Sequence, residues 1–257
     1  MKRGKRSTRP PAAYRRRSYR TRAQAEGMVS SIVRVHETDL HIQAPVPVAA
    51  EARTLVLLLR AELEDYIRRC PDFLPALTPL PADPQAPPLV GQMLEAGIAA
   101  GVGPMAAVAG AIAEGVGRGL FAAGVDELIV ENGGDIFISR KSVCQVAIFA
   151  ARSPLSGRVG IRLTAERMPL GVCCSSATVG HSLSFGAADA VVVLASSTAL
   201  ADAAATRIGN EVRPARPGRD SIGPALAVAQ AIPGIDGVVV VQNDKLGAWG
   251  QVELIRL

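Results

Sequence analysis

The sequence predicts an α+β fold, with helices packed on mixed sheets in a single compact globular unit. Helical periodicity is concentrated before residue 124, short β-rich runs crowd the middle of the chain, and the two kinds of element are grouped rather than strictly alternating. A chain of 257 residues with 49% hydrophobic content can also bury a substantial core.

The first 22 residues carry ten basic side chains and no acid, and are expected to form a basic flexible tail ahead of a domain spanning 23–257. The remainder holds 18 basic and 23 acidic residues, so the pI of about 9.3 belongs to the tail. The body therefore gives no global reason to expect nucleic-acid binding, and only Tyr14 and Tyr19 accompany the tail as stacking groups.

After the tail, MVSSIVRVHETDLHIQA (28–44) alternates apolar and polar residues around ETD, predicting two strands and a tight turn. From residue 47 the period changes: Val56, Leu59, Leu63, Tyr66, Ile67 and Cys70 share one helical stripe, and Pro71 ends it. Residues 71–89 contain seven prolines and form a connector. A second helical region runs from about 90 to 123, interrupted at GVGP. DELIV, DIFIS, CQVAIFA, RVGIRL and DAVVVLA then read as strands, SIGPALAVAQAI as a helix, and GVVVVQ and QVELIRL as strands.

The uncharged run 96–113 is long enough to consider for a membrane span. It consists mostly of alanine and glycine, so a buried helix and no membrane are expected. The four cysteines match no zinc spacing and no secretory apolar region follows the basic start; a reduced, cytoplasmic setting is expected.

Three segments could carry chemistry. In ENGGDIFI (131–138), Gly133 and Gly134 permit positive φ and leave room for a ligand, while the same letters are a hairpin signal; one reading does not exclude the other. In GVCCSSATVGHSLSFG (171–186), Ser175, Ser176 and Thr178 with neighbouring amides suit phosphate, and a cysteine or serine nucleophile with His181 as base is an available alternative. His36 and His41 fall in the first hairpin, where surface or structural roles are expected. In LADAAATRIGN (200–210), Asp202 and Thr206 lie one helical turn apart on one face, offering two hard oxygens suited to Mg²⁺ or Ca²⁺; an acid favoured in an early helical turn explains Asp202 equally.

AGVGPMAAVAGAIAEGVG, ENGGDIFI, SPLSGRVGI, SSATVGHSLSFGAADAVVVLA, LADAAATRIGN and DKLGAWGQVEL, together with YRRRSYR and VHETDLHI, resemble an ApbE-like family of bacterial and archaeal proteins. Its members are related in fold to the FAD:protein FMN transferases. The likeness runs from about Tyr14 to the C-terminus and implies an ApbE-like, T-fold-like architecture. It implies that Asp202 and Thr206 hold Mg²⁺, that Asn132, Gly133, Gly134 and Asp135 line a flavin pocket, and that His181 corresponds to the histidine opening the transferases' HIIDP motif. Two departures stand out: HSLSFG lacks the Asp-Pro, and AGAIAE places Ala109 where those enzymes have lysine and Glu114 where they have an acid. The resemblance thus implies a Mg²⁺-dependent FAD-binding protein, with FMN transfer to a hydroxyl of an acceptor protein as the related reaction. Two alternatives stay open at this point: a non-catalytic flavin or nucleotide binder, and an RNA-associated protein acting through its tail. Small-residue helices and exposed strands also point to a homodimer.

Overall fold

The computed structural model describes residues 20, 25–177, 186–216 and 221–257. Strands β1 (Val29–Val35) and β2 (Thr38–Ala44) form the expected hairpin, with His36 at φ 51° in its turn. Helix α1 (Ala49–Arg69) buries Ala52, Val56, Leu63 and Tyr66, and gives way to a short 3₁₀ turn, Pro71–Phe73. The proline-rich connector is tied back to it, because the Tyr66 hydroxyl donates to Asp83 Oδ2 at 2.9 Å.

The apolar run expected to be a buried helix is divided between two. Helix α2 (Pro88–Ala100) starts on a proline and stops at Gly101, which takes the left-handed conformation at φ 72°. A 3₁₀ turn, Pro104–Ala107, then leads into α3 (Val108–Ala122). By length and composition Pro104–Ala122 could cross a membrane, but Ala111, Ala113, Val116 and Leu120 of α3 belong to the main core.

The remaining strands are β3 (Leu128–Asn132), β4 (Asp135–Ser139), β5 (Cys144–Ala147), β6 (Val159–Leu163), β7 (Leu170–Ser175), β8 (Ala190–Ala195), β9 (Ile235–Gln242), β10 (Lys245–Gly250) and β11 (Glu253–Arg256). Helices α4 (Thr198–Glu211) and α5 (Gly223–Ala231) lie between β8 and β9. Eight strands form one sheet in the order β1-β2-β3-β4-β7-β8-β9-β10, and β11-β6-β5 form a second. Among the described residues every strand pairing is antiparallel.

The helices cover one face of the large sheet and the small sheet covers part of the other. Along β8, Val191 and Val193 join the helix-side core, while Val192 and Leu194 join the core beneath the small sheet. A strand buried on both faces has no polar side to present, which is why DAVVVLA reads as a continuous apolar run.

Helix α4 is pressed closely into this arrangement. Ser197 caps it, its Oγ accepting from the Leu200 amide, and Ala201, Ala203, Ala204 and Ala205 are buried. A Cβ at Gly110 would stand 2.4 Å from the Thr198 carbonyl oxygen, and one at Gly171 would stand 2.6 Å from Thr198 Cα. Glu114 is part of this junction: buried on α3, it accepts from the Thr198 amide at 2.7 Å and pairs with Arg118. Glu114→Ala should therefore cost about 1–3 kcal/mol of stability by orphaning a buried amide. Gly110→Ala should cost a similar amount by overpacking. Urea unfolding of each variant checks both.

Candidate functional site

Helix α4 has one face that is not packed away. Asp202 and Thr206 lie on it one turn apart, both partly accessible, while the alanines around them are buried. The close approach at Gly110 brings α4 against the start of α3, where the Gly110 amide donates to Asp202 Oδ2 at 2.9 Å. The positive end of α3 thus faces the carboxylate.

The β3–β4 turn reaches the same place. Asn132 pairs with Asp135 in the hairpin, and Gly133 and Gly134 form the two-residue turn at φ 74° and 113°. The Asn132 side chain donates to the Ala109 carbonyl at 3.1 Å, fastening the turn to α3. Glu131 accepts from the Gly134 amide at 2.8 Å, and Asp135 Oδ1 accepts from the Cys174 amide at 3.3 Å. Over Gly134 the space is open, since an added Cβ would meet only the Cys174 carbonyl at 3.8 Å. Sequence features assigned to a flavin turn and to a metal helix therefore converge on one location.

Asp135 is buried, and its acidity is governed by that burial and by Asp202. Burial first, then the negative charge of Asp202, hold its pKa well above the carboxylate range, against opposing hydrogen bonds from Cys174 and Cys173. Burial likewise pushes Asp202 up to about 7, partly offset by the Gly110 and Ala109 amides. A buried carboxyl in reach of a second negative charge ionises reluctantly, so burial and Asp202 act on Asp135 in the same direction. Asp202 and the Thr206 hydroxyl, one helical turn apart on α4, offer two oxygens suited to a hard divalent cation. Among the described residues no group of three or more His, Cys, Asp or Glu could hold a metal, so further ligands would have to come from water or a bound phosphate.

The third segment contributes at the far end of α4. Ser175 is buried at the end of β7, its Oγ 3.6 Å from where a Cβ at Gly209 would stand, and Ser176 follows it partly buried. Thr178 and His181 lie outside the described residues. The segment's flanks are fixed beside α4: the Ala177 amide donates to Ala188 O, the Ala187 amide donates to Val212 O, and Gly186 abuts the Gly209 carbonyl.

The cysteine-nucleophile alternative has little chemical support. Burial pushes the Cys174 thiol up to about 12 and Cys173 well above its ordinary range, so both remain protonated. All four cysteines are free. Of the other two histidines, His36 is exposed in its turn and His41 is buried beside Ser30 Oγ at 3.1 Å.

Sequence reasoning missed two features here. One is the pairing of Asp135 with Asp202, for which the only signal was the acid ending the Gly-Gly segment. The other is Arg20, counted with the flexible tail but held in the fold by Glu131 and Asp39.

Comparison with known proteins agrees with this architecture. A family profile described as "AbpE bacteria" matches residues 20–231. A UPF0280 protein of Methanocaldococcus jannaschii is 46% identical over 209 residues, covering 80% of this chain and 84% of that protein. One from Methanosarcina acetivorans is 38% identical over 222 residues, covering 86% of each. Among solved structures, the apo flavinyl transferase ApbE of Pseudomonas stutzeri superimposes with a TM-score of 0.57 at 14% identity, over 86% of this chain and 93% of that one. The flavin transferase ApbE of Vibrio cholerae gives 0.55 at 15% identity, over 86% and 96%. At these identities the structural likeness concerns the fold, whereas the sequence matches define kinship: the chain belongs to the UPF0280 family of ApbE-like proteins.

Proposed function

We propose that this protein binds FAD together with Mg²⁺ at the junction of α4, the start of α3 and the β3–β4 turn. The observation that carries the reading is the meeting of two segments at the start of α3: Asp202, one turn from Thr206, accepts from the Gly110 amide, and Asn132 of the open Gly-Gly turn donates to the Ala109 carbonyl. That donor set fits a hard cation, with Asp202 and Thr206 as the protein ligands. A bound Mg²⁺ would neutralise charge on the dinucleotide pyrophosphate.

The chain's own groups supply the rest of the pocket. The Gly110 amide fixes the rotamer of Asp202, and Asn132, by holding Ala109 O, keeps the turn against α3. Gly133 and Gly134 let a planar or phosphorylated ligand approach the backbone, and Ser175 and Ser176 offer hydroxyls toward phosphate. The reaction this pocket would serve is FMN transfer: an acceptor-protein hydroxyl forms a bond to the FMN phosphorus, the pyrophosphate bond breaks, and AMP leaves. His181 would take the hydroxyl proton.

A second reading, a flavin binder without transfer, is favoured by Ala109 in the lysine position and by the missing Asp-Pro after His181. Incubation with FAD and acceptor proteins, followed by mass analysis for an FMN adduct, separates the two.

Calorimetric titration with FAD should show binding that weakens at least about tenfold in EDTA and in Asp202→Ala, the loss expected for one charged contact. Equal affinity in all three conditions would overturn the metal site.

The raised carboxyl pKa values also give a pH dependence of defined sign. Between the ordinary carboxylate range and about 7, the folded protein holds protons that the unfolded chain has released. Metal-free stability should therefore fall as pH rises through that window, and Asp202→Asn should flatten the fall. Mg²⁺ affinity should rise over the same window, because the cation competes with protons for these carboxyls. Thermal melting across pH, with and without Mg²⁺, checks both directions.

A further inference from the structure

The turn that carries Asp135 is held from both faces of the sheet. On the helix face Asn132 grips α3. On the opposite face Glu131 Oε1 accepts from the Gly134 amide at 2.8 Å, while Glu131 Oε2 accepts from Arg20 Nε at 2.6 Å. Arg20 also donates from Nη1 to Asp39 Oδ1 at 2.7 Å and from Nη2 to the Asp39 carbonyl at 2.8 Å.

Its side chain is 9% accessible and that of Glu131 8%, so this is a buried, multiply bonded ion pair rather than a surface contact. Asp39 and His41 lie on β2, and His41 stands directly across from Glu131 in the sheet. Ala25 donates to Gln43 on the same strand at 2.7 Å, so the chain following Arg20 returns to β2 as well.

A carboxylate that bonds only a backbone amide can rotate about three side-chain torsions. One clamped by a guanidinium already anchored to Asp39 cannot, and it presents Oε1 to Gly134 in one orientation.

We infer that Arg20 is a positioning residue: acting through Glu131, it fixes the Gly134 amide and with it the direction in which Asp135 enters the site. The inference rests on the reading of this turn as part of the ligand pocket, and assigns to the basic N-terminal segment a role other than nucleic-acid contact. Arg20 touches no reacting group; it acts on the shape of the turn. Lysine, with one point charge in place of a two-sided fork, would hold Glu131 or Asp39 but not both in register.

The full-length chain is tested as wild type, Arg20→Lys, Arg20→Gln, Glu131→Gln and the double variant Arg20→Gln/Glu131→Gln. Backbone amide hydrogen exchange is read without ligand, and affinity is read by titration with FAD and Mg²⁺. Arg20→Gln should speed exchange at Gly134 by about tenfold or more, leave Val192 at the sheet centre unchanged, and weaken FAD about tenfold; Arg20→Lys should recover part of each. In the Glu131→Gln background, removing Arg20 should add less than about threefold, because the effect passes through Glu131. The double variant also removes both charges together, keeping the comparison available if Arg20→Gln alone does not fold. Unchanged Gly134 exchange, a uniform rise across the sheet, or independent losses in the double variant would each overturn the inference. Failure of wild type to bind FAD defeats the proposed function instead, and Gly134 exchange then decides the role of Arg20 by itself.

Discussion

The distance between α4 and its neighbours is the constraint on which the rest depends. Thr198 at the head of α4 touches α3 at Gly110 and β7 at Gly171, and neither contact has room for a Cβ. The alanines of α4 continue that approach along β7 and β8. Because helix and sheet meet so closely, Asp202 can accept from an amide of α3 and also face a carboxylate delivered by β4. With larger side chains in the seam, α4 would stand off by the width of a methyl group or more, and the acids would be solvated separately. The small residues thus produce the local electrostatics as much as the packing.

Local signals in the sequence were easily legible. The ETD hairpin, the end of α1 at Pro71, the Ser197 cap and the Gly-Gly turn each follow from chemistry contained within a few residues. Strand β7 was harder, because LGVCCS is covered on both faces and shows no alternation. Strand β10 escaped for a different reason: KLGAWG carries two glycines and takes its shape from pairing with β9, which no local propensity announces. The site was half legible. Asp202 and Thr206 share a helix and so could be placed together, whereas Asp135 reaches them only through tertiary packing. The bond from the Thr198 amide to Glu114 was equally out of local reach, since 84 residues separate the two.

Charge is distributed in this protein according to how far it is removed from water. Arg20, Glu131 and Asp39 are largely buried with opposite charges in contact. Asp135 and Asp202 are of one sign, and Asp202 makes the buried Asp135 harder still to ionise. A stable core has little use for the second arrangement, and it persists here beside the Gly-Gly turn and the start of α3. The contrast between a compensated cluster and an uncompensated one, separated by a single β-turn, is what distinguishes scaffold from site in this chain.

The small sheet has a consequence for how the chain is assembled. Strands β5 and β6 leave the large sheet together, but their third partner arrives only with β11, Arg162 and Glu253 being 91 residues apart. Val252, just ahead of that strand, packs against the core that Val192, Val239 and Val241 of β8 and β9 form on this side. The helix-covered half closes a loop of the same order, since the Gly110 amide reaches Asp202 across 92 residues. Both faces therefore wait on the C-terminal third of the chain, and apolar surface on either side of the large sheet is exposed during synthesis until it arrives.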